Sequence, residues 1–447
     1  MSSPAGLDER ILEIGRRLNK AFPKRSRNPF RALDDKAMEL ASRDAELRAA
    51  LFRLVDVTPA TRSLDDLARH LTEYLDDVDE RPPSLDVAMR MAGNPPGRRA
   101  LGAAAAAGVR HMAHRFIVGA TPRDAVPILR GLWNDGIASS VDLLGEATVT
   151  QPEADRYAAR CAEALDVLAE AYARLPEQPQ LEADPVGPLP RANLSVKVSA
   201  LTPLLRPDAP DIGRDDAAGR LRPLLQRARD RGAHLHVDME SLDSMEATLD
   251  LVFGLLEDDE FATAPSTGIV LQAYLRESPR MLDRILEWAG GNRERPPLVI
   301  RLVKGAYWDH EIIEARQHGW ETPVFEDKAA CDRNFEELTR RLLDARPLVR
   351  VAIASHNLRS VSHAIAYDQS IGGARGDIEF QVLRGLGDDL ARALASFDLR
   401  VRAYCPVGDL VAGMAYLVRR LLENTSNESF LYEQATGVPI EELLAAP

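Results

Sequence analysis

Cysteine is scarce in this sequence, and aromatic residues make up only 5% of it. The three cysteines among 447 residues, Cys161, Cys331 and Cys405, lie far apart along the chain. Disulfide frameworks and cysteine-rich zinc sites need paired or clustered cysteines, so the sequence argues against both. Few, widely spaced cysteines fit a reducing compartment.

Long apolar runs and an excess of positive charge are also missing. No stretch of 18 apolar residues occurs, so we expect no membrane-spanning helix. The N-terminal segment MSSPAGLDERI lacks the basic region and apolar core of a signal peptide. A net charge of −13 argues against nucleic acid as the main partner, because phosphate contacts require clustered lysine and arginine. These features predict a cytoplasmic protein that does not bind nucleic acid.

The pattern of apolar residues changes near residue 135. Residues 1–135 have a helical pattern, whereas the remainder alternates short apolar runs with stretches long enough for helices. Between them, the proline-rich stretch Pro176 to Pro190 is expected to be an exposed connection. Eight runs are candidate strands: 138–144, 193–199, 233–239, 268–274, 298–303, 350–354, 378–383 and 399–404.

Strands that alternate with helices predict right-handed βαβ units and a parallel sheet. Eight units predict an α/β fold in which a TIM-like (β/α)8 barrel, residues 136–447, follows a helical arm and α-domain, residues 1–135. An open doubly wound sheet is the structural alternative. Neither G-x-G-x-x-G nor G-x-x-x-x-G-K-[ST] follows the first candidate strand, which counts against a Rossmann or P-loop site.

Polar and ionisable residues occupy the C-terminal ends of nearly all candidate strands, where (β/α)8 enzymes carry their chemistry. One lysine or aspartate at such a place is more often a capping or loop residue, but so many on one face predict a functional site. The residues are Glu146, Lys197, Asp238, Gln272, Arg301, Lys304, His356, Asn357, Gln381 and Tyr404.

The segment AYLVRRLLENTSNESF predicts an amphipathic helix after the last strand. By periodicity alone its polar face is solvent-exposed, with an i,i+4 pair between Arg419 and Glu423. The alternative is a binding surface for a negatively charged group. The polar face carries Tyr416, Arg419, Arg420 and Glu423.

Two motifs support different kinds of site. HLHVDM places His234, His236 and Asp238 on one face of a strand, and an H-x-H pair opens the ligand set of many zinc hydrolases. The last strand, however, supplies no metal carboxylate, so the histidines are expected to pack or hydrogen-bond inside the barrel. In IRLVKGAYWDHEI, two cations, a glycine and an aromatic pair suit a planar cofactor that bears phosphate, although an ordinary β–α turn would also explain them.

These stretches resemble the proline dehydrogenase part of the bifunctional proline utilisation A flavoenzymes. The similarity extends from about Asn28 to the C-terminus, and it implies a distorted (β/α)8 barrel that binds FAD and oxidises L-proline to Δ1-pyrroline-5-carboxylate. The matching motifs are NLSVKVSAL, HVDME, GIVLQAYLRES, RLVKGAYWDHEI, ASHN, EFQVLRGLG, RAYCPVG and AYLVRRLLEN.

The resemblance also implies roles for individual residues. Arg419 and Arg420 would bind the proline carboxylate, and Glu423 would hold their guanidinium groups. Glu146 would pair with Arg419 as a lid over the substrate. Tyr404 and Leu383 would pack on the proline ring, and Lys197 with Asp238 would form an ion pair near the flavin and the substrate amine. The FAD-lining residues would be Asp238, Gln272, Arg301, Val303, Lys304, Gly305, Ala306, Tyr307, Trp308, His356, Asn357, Gln381, Leu383 and Glu423.

The implied reaction moves a hydride from the ring carbon beside the proline nitrogen to flavin N5, with Arg301 as the expected neighbour of N5. A quinone would then reoxidise the flavin. An aldehyde dehydrogenase domain or partner, specific for pyrroline-5-carboxylate, would take the product. Because the acidic chain shows no basic amphipathic anchor, any contact with the inner face of the cell membrane should be peripheral.

The sequence departs from the family at FEDKAACD, where FTRKxxTD is typical. Glu326, Asp327 and Cys331 replace a hydroxyl, a cation and a hydroxyl, which alters the contacts expected for the adenosine side of FAD. Two other functions remain as alternatives. One is a metal-dependent barrel hydrolase that uses His234, His236 and His356, and the other is a protein that keeps FAD without turnover.

Overall fold

The computed structural model describes residues 4–22, 45–79, 86–87, 89–90, 92–145, 147–374, 376–409, 413, 416 and 437–447. Among these residues, the α-helices before the first strand include α1 (Pro4–Ala21), α2 (Ala45–Val57), α3 (Leu64–Asp76), α4 (Pro95–Phe116) and α5 (Pro122–Asn134). Residues at the N-terminal ends of these helices explain where the helices begin. Helix α5, for example, begins with a capping box in which Thr121 and Asp124 satisfy each other's backbone N–H groups.

Eight parallel strands close into a barrel, and the predicted strands coincide with them apart from small shifts at their ends. The prediction of a TIM-like (β/α)8 barrel after a helical region is therefore confirmed, and the open sheet is wrong because the first and last strands pair with each other. The barrel strands are β1 (Ile137–Leu143), β4 (Asn193–Lys197), β5 (His234–Asp238), β6 (Ser266–Gln272), β7 (Leu298–Val303), β8 (Val349–Ala354), β9 (Ile378–Leu383) and β10 (Arg400–Val407).

The helices between and after the strands cover the outside of the barrel, and the outward-facing strand residues form the hydrophobic core with them. Leu235 and Val237 of β5, for example, are fully buried in this core. In the described part of the chain, the helices after β1 include α6 (Gln151–Ala173), α7 (Pro179–Glu182), α8 (Val198–Leu201), α9 (Pro210–Asp230), α10 (Leu242–Leu256), α11 (Ser278–Gly291), α12 (Trp308–His318), α13 (Lys328–Asp344), α14 (Leu358–Ser370), α15 (Asp388–Ser396) and α16 (Ile440–Leu443). Within the described ranges, no helix is both long and apolar enough to cross a bilayer.

The proline-rich stretch is largely exposed, as expected, but it also contributes the buried side chain of Asp184 to the N-terminal end of the barrel. It forms α7 and a small hairpin of β2 (Ala183–Asp184) and β3 (Gly187–Pro188). The Asp184 carboxylate accepts hydrogen bonds from the backbone N–H groups of Val186 and Gly187, both at 3.0 Å, and from Arg350 Nε at 2.8 Å. Because Arg350 is the second residue of β8, this buried ion pair attaches the hairpin to the N-terminal end of the barrel, which we call its floor.

Helix α1 and the C-terminal segment pack together on α14. A buried arginine, Arg359, joins the three parts: it donates to Asp8 of α1 at 2.9 Å, to the Leu444 carbonyl at 3.0 Å and to Glu336 of α13 at 2.8 Å. At the same junction a Cβ on Gly15 would lie 2.5 Å from a methyl group of Leu444, so a larger residue there would displace that side chain. The first and last described segments are thereby anchored to the barrel wall.

This junction yields a stability prediction. Arg359→Met leaves the buried Glu336 carboxylate without its cation, so we expect the apparent free energy of unfolding in urea to fall by about 3–5 kcal/mol. Arg16→Met is the matched control, because it breaks an exposed pair with Glu441 at the same junction and should cost at most about 1 kcal/mol. Equal losses in both variants would contradict the assignment of Arg359 as the anchor.

Candidate active site

The guanidinium of Arg301 lies at the centre of the C-terminal mouth of the barrel. It is 4% exposed and donates to the carboxylate of Asp238 at 2.6 Å and to the amide oxygen of Gln381 at 2.7 Å. Its remaining N–H groups reach the hydroxyls of Ser195 at 3.1 Å and Ser140 at 3.4 Å. The guanidinium, which is carried by β7, is therefore held by side chains of four other strands, β1, β4, β5 and β9.

Lys197 forms a second cation beside this one. Its Nζ lies 2.6 Å from Asp142 and 3.4 Å from Asp238. Burial alone would lower the pKa of Lys197, but the two carboxylates raise it well above its ordinary value. The ion pair expected between Lys197 and Asp238 is present, although Asp142 is the nearer partner.

Asp238 is shared by three donors, because Tyr404 also donates its hydroxyl to it at 2.6 Å. Burial opposes ionisation of Asp238, yet Lys197 and Arg301 hold its pKa below the ordinary value. Burial and the nearby carboxylates raise the pKa of Tyr404. At neutral pH the site therefore holds a charged aspartate, a charged lysine and a neutral tyrosine.

The Tyr404 ring also faces Arg301, whose guanidinium carbon lies 5.2 Å from the ring centroid. A cation above an aromatic face is favourable, so the ring and its hydroxyl are both held in place. Tyr404 is nevertheless only partly buried, and Leu383, its register partner on β9, is partly buried as well. This is where a small molecule at the mouth would meet a flat apolar surface.

Gln272, at the end of β6, contributes a buried polar group. Its amide nitrogen donates to the Glu240 carbonyl at 3.1 Å, whereas its Oε1 is buried and has no hydrogen-bond partner among the described residues. A buried oxygen without a partner is costly unless a bound group supplies a donor. Gln272 thus fits an absent polar ligand at the mouth.

Six predicted cofactor residues lie at and after the end of β7: Val303 is the last residue of the strand, Lys304, Gly305, Ala306 and Tyr307 form the loop, and Trp308 begins α12. Lys304 forms an ion pair with Asp332, and the indole of Trp308 donates to the Phe325 carbonyl at 2.9 Å while remaining 41% exposed. Gly305 has a φ of 140°, and a Cβ there would lie 2.2 Å from the Tyr274 ring. The close approach expected at this glycine is therefore to Tyr274.

The histidines and the asparagine have local structural partners. His356 Nε2 accepts the Leu383 N–H at 2.9 Å, and Asn357 caps α14. Inside the barrel, His234 binds Ser266 at 2.8 Å and His236 at 3.1 Å. Burial, with nearby arginines, lowers the pKa of His234 to about 3 and that of His236 as well, so both are neutral at pH 7.

Four predicted site residues, Glu146, Arg419, Arg420 and Glu423, lie outside the described residues, and their roles stay predictions. The residues of the atypical FEDKAACD stretch are engaged locally. Asp327 caps α13, and Glu326 accepts from Thr322 at 2.7 Å. Burial raises the pKa of the Cys331 thiol to about 11.

Several residues at the site were missed by sequence reasoning: Ser140, Asp142, Ser195, Glu379 and Arg402. Each alternates along its strand with a buried apolar residue, as Arg402 does with Val401 and Ala403. In an ordinary barrel such inward positions are branched aliphatic. Polar or charged residues at every second position of a predicted barrel strand, on the side that faces inward, would have indicated these site residues.

Comparisons with known proteins show the family to which the chain belongs. Residues 125–433 match the family model for proline dehydrogenase, and residues 8–116 match that for the proline utilization A N-terminal domain. The chain belongs to the proline dehydrogenase family. The predicted family is confirmed.

Relatives of this proline dehydrogenase family member differ in length. The bifunctional protein PutA of Escherichia coli is 33% identical over 76% of this chain, and the match spans 25% of that protein. The proline dehydrogenase of Deinococcus radiodurans is 30% identical over 72% of this chain and 89% of its own length. The crystal structure of PutA from Bdellovibrio bacteriovorus inactivated by N-propargylglycine superposes with a TM-score of 0.89 and 34% identity over 98% of this chain and 44% of that one. The chain thus spans less than half of its PutA relatives.

The carboxylate of Asp238, which Lys197, Arg301 and Tyr404 share, predicts how the free energy of unfolding depends on pH. Asp238→Asn should lower the apparent free energy of unfolding by about 3–5 kcal/mol at pH 7, since it leaves two buried cations undercompensated. The pKa of Asp238 is lower in the folded protein than in the unfolded chain, where it is about 3.9. The contribution of Asp238 to the free energy of unfolding is therefore complete above the unfolded-state pKa, and it is lost as the pH falls through the folded-state pKa.

The difference between wild type and Asp238→Asn should therefore stay constant from pH 5 to 8, in urea titrations matched for bound cofactor. Asp208→Asn, which breaks an exposed pair with Arg206, is the control and should change little. A difference that disappears between pH 5 and 8 would show that Asp238 titrates there, contrary to its two cationic partners.

Proposed function

We propose that this chain oxidises L-proline to Δ1-pyrroline-5-carboxylate with bound FAD, as a step of proline catabolism. The supporting observation is the buried cluster of Arg301, Asp238, Lys197 and Tyr404 at the barrel mouth in a member of this family. We further propose that residues 136–447 form the catalytic barrel and residues 1–135 a helical arm and α-domain.

The mouth fits a planar, polar cofactor. The unpartnered Oε1 of Gln272 can accept a hydrogen bond from a bound ring, and Arg301 presents a fixed positive charge. Bound there, FAD would supply a two-electron acceptor for the substrate hydride. The residues proposed to hold it are Asp238, Gln272, Arg301, Val303, Lys304, Gly305, Ala306, Tyr307, Trp308, His356, Asn357, Gln381, Leu383 and Glu423.

The substrate needs a site for its carboxylate and one for its ring. The resemblance supports Arg419 and Arg420 for the carboxylate, with Glu423 and Glu146 as their acidic partners. The position of Tyr404 supports contact with the ring, because its side chain is fixed by Asp238 and Arg301 yet remains partly exposed. Such fixed surfaces lower the barrier by holding the reacting atoms in position.

The ionised cluster positions the substrate and does not take its amine proton. Asp238 is held in its charged form by two cations, and Lys197 is held protonated by two carboxylates. Neither is a base poised near neutral pH, as a proton acceptor should be. Proline must therefore react through the fraction that has a neutral amine.

The acceptor of the electrons and the consumer of the product are proposals drawn from the family. We propose a quinone as the acceptor, reached through peripheral contact with a membrane at most. The Escherichia coli relative is named bifunctional, which supports a pyrroline-5-carboxylate dehydrogenase as a further domain or a partner protein.

The visible spectrum tests the proposed reaction. The purified protein should be yellow, and its flavin bands should bleach when L-proline is added without oxygen. D-proline at the same concentration is a suitable control for specific reduction. A colourless protein that contains zinc would indicate the hydrolase alternative, and a yellow protein that does not bleach would indicate binding without turnover.

Tyr404 predicts substrate choice. Proline should be preferred over trans-4-hydroxyproline by about 10–200-fold in kcat/KM, because the ring of Tyr404 would crowd the extra hydroxyl. Tyr404→Ser opens space and supplies a hydroxyl partner, so it should reduce kcat/KM for proline and narrow the preference while FAD stays bound.

Tyr404→Phe separates the two parts of this side chain, since it keeps the ring and loses only the bond to Asp238. It should retain most of the preference for proline. An unchanged ratio of the two kcat/KM values in folded, flavin-loaded Tyr404→Ser would exclude Tyr404 from substrate discrimination.

A further inference from the structure

The wall of the barrel below the mouth contains two neighbouring strands of opposite charge. On β9, Glu379 and Gln381 point inward, and on β10, Arg400 and Arg402 do the same. The parallel register pairs Arg400 with Glu379 and Arg402 with Gln381. All four are at most 7% exposed, although two are arginines and one is a glutamate. Charged side chains are so seldom buried that their arrangement calls for a functional explanation.

A chain of hydrogen bonds connects these residues to the centre of the site. Arg301 Nε donates to Gln381 Oε1 at 2.7 Å, and Gln381 Nε2 donates to Glu379 Oε1 at 2.7 Å. Arg402 then donates to both oxygens of Glu379, at 2.8 and 2.9 Å, and to the Ser139 carbonyl at 2.8 Å. Each bond falls within the range of a strong hydrogen bond.

The chemistry of each partner allows only one orientation of the Gln381 amide. A guanidinium can only donate, so the amide oxygen must face Arg301. The amide nitrogen then needs an acceptor, and an ionised carboxylate has acceptors alone. Glu379 meets this requirement and is itself clamped by the forked bond from Arg402.

Glu379 keeps its charge at every pH of interest. Burial opposes its ionisation, but the guanidinium of Arg402 outweighs this and lowers the pKa of Glu379 to about 2. Arg400 adds a more distant contact at 3.8 Å. The orientation of the Gln381 amide is thus fixed independently of pH.

We propose that Glu379 is a positioning residue that orients the Arg301 guanidinium through the amide of Gln381. The proposal rests on the proposed function, in which Arg301 faces the reacting end of FAD. Asp238 and Gln381 hold two different nitrogens of Arg301, and Glu379 determines whether the second of these contacts persists.

Two variants break the link in different ways. Glu379→Gln removes a negative charge and allows the neighbouring amides to reorient, whereas Gln381→Leu removes the link without changing any charge. Both should retain FAD and lower kcat for L-proline by about tenfold or more, with a smaller change in KM, because the loss concerns the reacting end of the cofactor.

The midpoint potential of the bound flavin separates positioning from a simple charge effect. Loss of a carboxylate alone makes the barrel more positive and should raise the potential. Loss of alignment moves the Arg301 cation away and should lower it, in both Glu379→Gln and Gln381→Leu. Because the two residues act in series, the double variant should resemble the single ones, not combine their effects.

Glu336→Gln is the matched control. Glu336 is also a buried carboxylate paired with an arginine, Arg359, but it lies outside the barrel wall. It should leave the potential and kcat unchanged. Wild-type kcat and potential in folded Gln381→Leu, or a raised potential in Glu379→Gln, would overturn the proposal.

Arg301→Met distinguishes this proposal from the proposed function. If Arg301→Met lowers the flavin potential and Gln381→Leu does not, Arg301 faces the cofactor and only the positioning role of Glu379 fails. If Arg301→Met leaves the potential of bound FAD unchanged, the assignment of Arg301 to the cofactor fails, and the positioning proposal fails with it.

Discussion

Mutual neutralisation of charges inside a closed barrel is the constraint on which this structure depends. The described interior holds four inward-facing carboxylates, Asp142, Asp184, Asp238 and Glu379, beside five cations, Lys197, Arg301, Arg350, Arg400 and Arg402. A charge removed from water costs several kcal/mol unless it is paired and hydrogen-bonded. Each of these groups faces an oppositely charged partner, from the Asp184 hairpin at the floor to Asp238 at the mouth, and breaking one close pair leaves its partner uncompensated. Arg400 is paired least closely, because its nearest carboxylates, those of Asp184 and Glu379, lie 3.7 and 3.8 Å away.

The same constraint determines what the site can do. Carboxylates and cations that hold one another have pKa values displaced away from neutrality, as Asp238 and Lys197 show. They are poor proton carriers but good fixed dipoles, because a buried network does not need to reorganise when charge develops nearby. This suits a reaction in which the main requirement is to place a hydride donor against a cofactor, and it explains why the site is rich in ion pairs yet has no group poised as a base among the described residues at its centre.

The sequence predicted the strands and the residues at their C-terminal ends because both depend on local periodicity. Lys197, Asp238, Arg301 and Tyr404 were predicted at one face and are in contact there. The floor was not predicted. The stretch from Pro176 to Pro190 has the composition of an exposed loop. The Asp184 side chain is buried there because it pairs with Arg350 and Arg400, which lie far away in the sequence. Likewise, Glu379 looks like any polar strand residue until the fold places it beside Arg400 in the register and within hydrogen-bond reach of Arg402. Strand periodicity can show that a charged residue faces inward, but it does not show which distant residue is its partner.

Packing on the outside of the barrel makes the polar interior possible. On β9, Ile378, Phe380 and Val382 face the helices and are buried, while Glu379 and Gln381 face inward. Hydrophobic burial scales with the apolar area removed from water, so the outer layer alone supplies most of the driving force for folding. Replacing a buried ion-pair network by apolar residues is often neutral or stabilising. Stability therefore does not require arginines and a glutamate inside this barrel. Packing does not explain their presence, but their connection to Arg301 does, because they hold the orientation of that guanidinium at the mouth.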